Sequence, residues 1–371
     1  MDFKFFMPVR VYSGKNAVFD NKNVFSTYGK KCGIVTGRTS AEKSGALKDV
    51  IAVFNETEIE YTVYNGITEN PLITACREAG TQFENEKVDF VLGIGGGSVL
   101  DAAKAVAIYA SNPSLSAEDI YLRKYENEAL PVLLIGTSSG TGSEVSGVSV
   151  LTNPATGRKK SISGPDCYAR AVFADSRYTE SMPYDVTVST ALDALSHAVE
   201  GFFTSKCTDI PTLFAYKAIP MLWECLKNID NGKEIDSDMH EKLYFGSLYA
   251  GMVLNPCGTV FPHPLGYVLT ENYGIPHGKA CTAFMTELID RGFAYEGEKA
   301  QRLMEMMKTE RGEFCGIVKR LTALREITMT REEIENYCSR WDSVLPGNFL
   351  FSPGGFTRED AEEIFLKKFL K

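Results

Sequence analysis

The chain has only four histidines, and three of them stand where a carboxylate could join them in chemistry. His197 follows Asp193 by four residues inside a run, 187–203, whose apolar residues recur at helical spacing, so both side chains project from one face. His263 and His277 come later, each in a segment marked by Gly and Pro: Phe261-Pro262-His263-Pro264 and Ile275-Pro276-His277-Gly278. One carboxylate and three imidazoles suit a divalent transition metal. An Asp/His pair on a helix is more often an ordinary surface or core pair, and spacing alone does not bring the four groups together. His240, in Ser237-Asp238-Met239-His240-Glu241, reads as a solvated helix start and is left out of the set.

A second chemistry is written in glycine. Gly95-Gly96-Gly97-Ser98-Val99-Leu100-Asp101-Ala102-Ala103-Lys104 follows a strand-like run and opens a helical one. Three glycines let the backbone approach a ligand closely, and the helix that follows aims unpaired N–H groups and a positive dipole end at it, which fits a diphosphate. A tight strand-to-helix turn that binds nothing satisfies the same residues. Thr137-Ser138-Ser139-Gly140-Thr141-Gly142-Ser143-Glu144 also follows a strand, and ligands of open α/β sheets gather at the carboxyl ends of strands. A purely structural loop of small hydroxyl residues is the alternative reading.

The end of the first clear strand bears on which nucleotide. Sites that read an unphosphorylated ribose often place a carboxylate there. This chain has Thr36-Gly37-Arg38-Thr39-Ser40, in which Gly37 leaves room while Arg38 and Ser40 can donate to a 2′-phosphate. A charge-assisted Arg–phosphate contact is worth roughly 1.5–3 kcal/mol, about ten- to a hundredfold in affinity. NADP(H) is therefore expected over NAD(H), against the plain alternative of Arg38 as a solvated surface side chain.

These residues need a scaffold. Apolar runs at 31–36, 61–64, 88–94 and 131–135 alternate with helical patterns, the signature of a parallel sheet covered by helices. Asn70-Pro71 is expected to open one of those helices, with Pro at the tolerated first position. From Asp185 onward helical spacing dominates. Two domains are expected, an α/β dinucleotide-binding domain over 1–180 and a helical metal-binding domain over 181–371, in keeping with a chain of 371 residues. A net charge of -9 disfavours nucleic acid and anionic membrane as partners. No stretch approaches ~18 apolar residues and no signal peptide is evident, so a cytoplasmic protein with its nine cysteines reduced is expected.

Taken together, GGGSVLDAAK at 95–104, TSSGTGSEV at 137–145, DALSHAVEGF at 193–202 and IPHGKA at 275–280 resemble, in order, the signatures of the iron-containing (group III) alcohol dehydrogenase family. The resemblance runs over essentially the whole chain. It implies an N-terminal α/β nucleotide-binding domain followed by an all-α domain, the architecture shared with dehydroquinate synthase. It implies a hydride exchanged between a nicotinamide nucleotide and an alcohol/aldehyde pair, with Fe(II) as the usual metal, zinc in some members or as purified, and a homodimer. By matching motifs, Asp193, His197, His263 and His277 become the metal ligands. The cofactor contacts become Gly95, Gly96, Gly97, Ser98, Asp101, Thr137, Ser138 and Thr141, with Asn70 added to them. A family lysine that reaches the cofactor corresponds to Lys160, with Lys159 its competitor for that place. Members with Gly at the end of the first strand tend to use NADP, in agreement with Gly37.

One departure affects the proton route. Where many members carry a histidine four residues after the third ligand, this chain has Tyr267, whose phenol, with an ordinary pKa near ~10, is a poor base at neutral pH. Tyr267 is left to orient water or line the pocket. Two related readings stay open: a glycerol-dehydrogenase-like polyol dehydrogenase, and a dehydroquinate-synthase-like lyase that would show no net nicotinamide turnover. A binding protein on the same fold would hold the cofactor without turnover.

Overall fold

Apolar runs bounded by glycine become strands where helices can cover both of their faces. The structure, a computed structural model describing residues 5–324 and 326–371, contains a six-stranded sheet made this way. Its strands are β1 (Arg10–Ser13), β2 (Lys31–Gly37), β3 (Glu60–Ile67), β4 (Phe90–Gly95), β5 (Val132–Gly136) and, after a separate hairpin of β6 (Val148–Thr152) and β7 (Lys159–Ser163), β8 (Ala171–Ala174). The order is β1-β8-β5-β4-β2-β3, and every neighbouring pair is parallel. β4 and β5 are buried along their whole length, as expected of strands covered on both sides, whereas the edge strand β3 is largely exposed. On one face Phe25 stacks on Phe173 and meets Phe54 edge-on, within a cluster that also takes in Ile34, Leu92 and Leu133.

The four expected strands are present as β2, β3, β4 and β5. The helix expected to open at Asn70-Pro71 starts instead at Ile73. Asn70 has a left-handed backbone (φ 57), and the Pro71 carbonyl accepts from Thr152 N at 2.8 Å, so this segment is tied to β6 before the helix can begin. β1, β8 and the hairpin carried no clear signal in the sequence. From Tyr184 onward the chain is helical, apart from an isolated bridge between Met329 and Leu370. None of the helices among the described residues is long and apolar enough to cross a membrane, and all nine cysteines are free thiols.

The described residues form two compact units: 6–183 with 236–251, and Phe5 with 184–235 and 252–371. The excursion 236–251 carries His240, which is a correction to the sequence reading. The ring is buried, with Nδ1 3.3 Å from the Thr179 hydroxyl, and so is not a solvated helix start.

Candidate functional site

In the helical unit, the helix Tyr184–Phe203 is buried almost continuously from Thr187, and a face of it carries Asp193, His197 and Glu200 at spacings of four and three residues. The helix Pro262–Tyr273 holds His263 in its first turn, and the helix His277–Thr282 begins on His277 itself. Gly278 explains how His277 comes so close: a Cβ there would lie 1.9 Å from the Ser189 carbonyl oxygen and 2.9 Å from Asp193 Cβ, so only glycine permits the approach. Thr282 adds a bond from its hydroxyl to the Leu192 carbonyl at 3.2 Å.

The four expected ligands converge. Asp193 Oδ1 lies 3.8 Å from His197 Nε2, 3.9 Å from His263 Nε2 and 3.9 Å from His277 Nε2. Asp193, His197 and His263 are about 95% buried, whereas the His277 side chain is 26% exposed and gives the cluster an open side. Ligands held about 2.0–2.2 Å from one ion lie roughly 3–3.5 Å apart, so the three Asp–His separations are a few tenths of an ångström longer than a bound metal would set. His263 Nε2 tests the fit most directly. It is buried and faces Asp193 Oδ1 at 3.9 Å, beyond hydrogen-bond reach, with the Cys281 thiol as its other polar neighbour, so a ring nitrogen is held dry among potential ligands, an arrangement that a cation would relieve.

Two residues outside the expected set belong to this cluster. Cys281 is buried, with Sγ 3.6 Å from His277 Nδ1, and its sulfur and the ligand atoms of Asp193, His263 and His277 lie within 4.8 Å of one another. The available signal was its position four residues after His277 on one helix. Glu200 is fully buried and its Oε1 lies 2.6 Å from His263 Nδ1. Its signal was the 193, 197, 200 spacing. Tyr267 stacks on His277 with centroids 5.4 Å apart and 12° between planes, and burial pushes its phenol up to about 12, so it stays protonated at neutral pH.

The sheet unit brings the glycine loop and the hydroxyl loop together. β4 and β5 pair in register to Gly95↔Gly136, and Thr137 N donates to Gly95 O at 2.9 Å, so the two loops leave side by side from the carboxyl ends of adjacent strands. A Cβ on Gly97 would meet Thr141 Cγ2 at 2.3 Å, which fixes glycine at the start of the helix Gly97–Ser111. Ser98 Oγ accepts from Asn70 N at 3.3 Å. β2 runs beside β4, placing Gly37 next to this group, with the side chain of Arg38 exposed and Ser40 half-buried.

Asp101 and Lys160 stand differently from the rest. Both Asp101 carboxylate oxygens are engaged within the chain, by the Ser143 hydroxyl at 2.6 Å and Val150 N at 2.9 Å. Lys160 is exposed on β7 with its ammonium 4.9 Å from the centre of the Tyr121 ring. The lysine that the fold buries is Lys104, which donates to Ser143 Oγ (2.8 Å) and to the carbonyls of Ser146 (3.0 Å) and Val148 (2.7 Å), with Asp101 Oδ1 3.6 Å away.

Beside that lysine, Glu144 is buried against the Tyr244 hydroxyl, and burial raises its carboxyl from the ordinary 4.5 to about 7. Because the folded value lies above the unfolded one, the group favours folding below pH 4.5 and that contribution is lost as pH rises to about 7. At ~1.36 kcal/mol per unit the loss is about 3 kcal/mol. Glu144→Gln is expected to remove this dependence. Urea unfolding from pH 4.5 to 8 checks it, and equal slopes for parent and variant would refute the shift.

Comparison with known proteins identifies the family. The family model for iron-containing alcohol dehydrogenases matches residues 8–176, and the model for the C-terminal part of Fe-containing alcohol dehydrogenases matches residues 187–339. The chain is 28% identical to the lactaldehyde reductase of Escherichia coli over 75% of its length and 72% of that enzyme's. It is also 28% identical to the NADPH-dependent butanol dehydrogenase of Clostridium saccharobutylicum, over 77% of this chain and 73% of that one. A solved iron-containing alcohol dehydrogenase from Thermotoga maritima, 33% identical, superposes with a TM-score of 0.90 over 99% of both chains. Matched by family models along most of its length, this chain belongs to the iron-containing alcohol dehydrogenase family and is an NAD(P)-dependent alcohol/aldehyde oxidoreductase.

Proposed function

We propose that the chain is a metal-dependent aldehyde reductase and alcohol dehydrogenase that prefers NADP(H), with Asp193, His197, His263 and His277 holding Fe(II), or zinc in protein exposed to oxygen. The observation that carries the metal reading is the convergence of three imidazole Nε2 atoms on one buried carboxylate, with His263 Nε2 3.9 Å, His197 Nε2 3.8 Å and His277 Nε2 3.9 Å from Asp193 Oδ1. A divalent metal held there supplies Lewis acidity to the substrate oxygen, and the nicotinamide supplies or accepts the hydride at the carbonyl carbon.

The chain's own share is binding, orientation and proton control. The N-terminus of the helix Gly97–Ser111, flanked by Ser98, Thr137, Ser138 and Thr141, offers N–H and hydroxyl donors to a diphosphate. Asn70 N, bonded to Ser98, closes one side of that group. Gly37 leaves room for a 2′-phosphate, Arg38 supplies charge to it and Ser40 a hydroxyl. Tyr267, protonated throughout the neutral range, acts as a hydrogen-bond donor beside His277 and not as a base. Reduction of an aldehyde consumes one hydride from the nucleotide and one proton from solvent.

The deciding assay is aldehyde-dependent oxidation of NADPH against NADH by anaerobically purified protein, with and without added Fe(II). Turnover is expected to require the metal and to favour NADPH. In the same assay Arg38→Ala is expected to raise KM for NADPH about ten- to a hundredfold and leave that for NADH nearly unchanged. Equal KM changes for the two nucleotides would sink the Arg38 assignment, and full activity in metal-stripped protein would sink the metal reading.

A further inference from the structure

We propose that Glu200 is a positioning residue of the metal centre, fixing the tautomer and ring direction of His263 and balancing the charge of the ion; the proposal rests on the metal reading above. Three observations converge on this carboxylate. Its Oε1 is 2.6 Å from His263 Nδ1, a separation that requires the hydrogen to sit on Nδ1 when the glutamate is ionised. The other ring nitrogen, Nε2, is then the one that faces Asp193 Oδ1 at 3.9 Å and the Cys281 thiol, both members of the same candidate metal cluster. Glu200 is itself pinned: Oε1 accepts from the Ser196 hydroxyl at 2.5 Å and Oε2 from Val260 N at 3.0 Å.

This placement links two of the three helices that carry proposed ligands. Glu200 sits on the helix of Asp193 and His197, and its bonds reach Val260 and His263 on the following stretch. One carboxylate therefore fixes where His263 stands relative to the other two. Charge makes a second argument. Three neutral imidazoles and one aspartate around a divalent ion leave a net charge of about +1 beside three buried ligand side chains, and an unbalanced buried charge costs several kcal/mol. Glu200, with no exposed surface, brings the assembly to neutrality without occupying a coordination position. Partners of this kind raise the basicity of a ligating histidine, and their loss typically weakens metal binding ten- to a hundredfold.

The test is metal affinity, read apart from activity. Metal-stripped parent and Glu200→Gln proteins are titrated with Co(II) and Zn(II) against a chromophoric chelator, and the visible spectrum of the cobalt-loaded protein is recorded. Glu200→Gln keeps the size of the side chain and removes its charge. It is expected to bind both ions about ten- to a hundredfold more weakly and to shift the cobalt bands. Glu200→Asp, which keeps the charge but falls a methylene short of Nδ1, is expected to recover part of the affinity. Affinity within twofold of the parent with a superimposable cobalt spectrum overturns the proposal. So does a variant whose only defect is a lower thermal midpoint without metal. Should Glu200→Gln fail to fold, Ser196→Ala, which unpins the same carboxylate, carries the test, with weaker binding expected and unchanged binding overturning it. A parent protein that binds neither ion would sink the metal reading itself, so the two failures are distinguishable.

Discussion

Asp193→Ala is expected to lose bound metal and to lower kcat/KM by three orders of magnitude or more. Asp193 is the one carboxylate among the four proposed ligands, and its Oδ1 is the shared neighbour of three imidazole nitrogens at 3.8–3.9 Å. Without it a divalent ion would meet only neutral nitrogens from the ligand set. Lewis-acid stabilisation of charge on a reacting oxygen is worth several kcal/mol, and each ~1.36 kcal/mol is tenfold in rate. His263→Ala should fall in the same range, since it deletes the ligand that Glu200 orients. Metal content by elemental analysis, steady-state kinetics and circular dichroism together decide the matter. Full activity with a full complement of metal in either variant would falsify the four-ligand assignment. A large drop in rate with normal metal content would instead make Asp193 a substrate-positioning group.

Much of this was legible in sequence, for identifiable reasons. Strands β2, β3, β4 and β5 were visible because apolar runs ended at glycine or turn residues, and β4 and β5, covered on both faces, read as unbroken hydrophobic stretches. β1 and β8, each four residues long, are too short to show a period. Asp193 and His197 could be paired by helical spacing alone. His263 and His277 could not, because what brings them in is contact between helices, such as the close approach at Gly278. Glu200 lies inside the 193–202 motif, yet nothing in one dimension says that it faces a histidine 63 residues away. The same holds for Lys104. The sequence drew attention to the exposed Lys160, whereas Lys104 lies at the C-terminal end of the glycine motif and is buried by partners at 143–148.

That buried lysine carries the second large effect, this time on stability. Lys104→Met is expected to destabilise the sheet unit by about 3–5 kcal/mol, the usual consequence of removing one member of a buried charged group. The loss would not come from the Asp101–Lys104 attraction alone. The ammonium satisfies the Ser143 hydroxyl and two backbone carbonyls, and methionine leaves all three acceptors dry without a donor. Asp101 would keep its bonds from Ser143 and Val150, so its carboxylate stays anchored while its countercharge disappears. Ser143 N in turn bonds the Thr141 hydroxyl at 3.2 Å, and Thr141 leans on Gly97, so slackness at position 104 should pass to the loop expected to hold the diphosphate. For a unit of this size the thermal midpoint should fall by on the order of 10 °C. Nucleotide affinity should weaken while metal content stays at the parent level, because the four proposed ligands belong to the other unit. Scanning calorimetry with parallel nucleotide titration separates the alternatives. A midpoint and affinity equal to the parent's would mean that the acceptors at 143, 146 and 148 find water or other donors, and that the buried ammonium is dispensable to the loop.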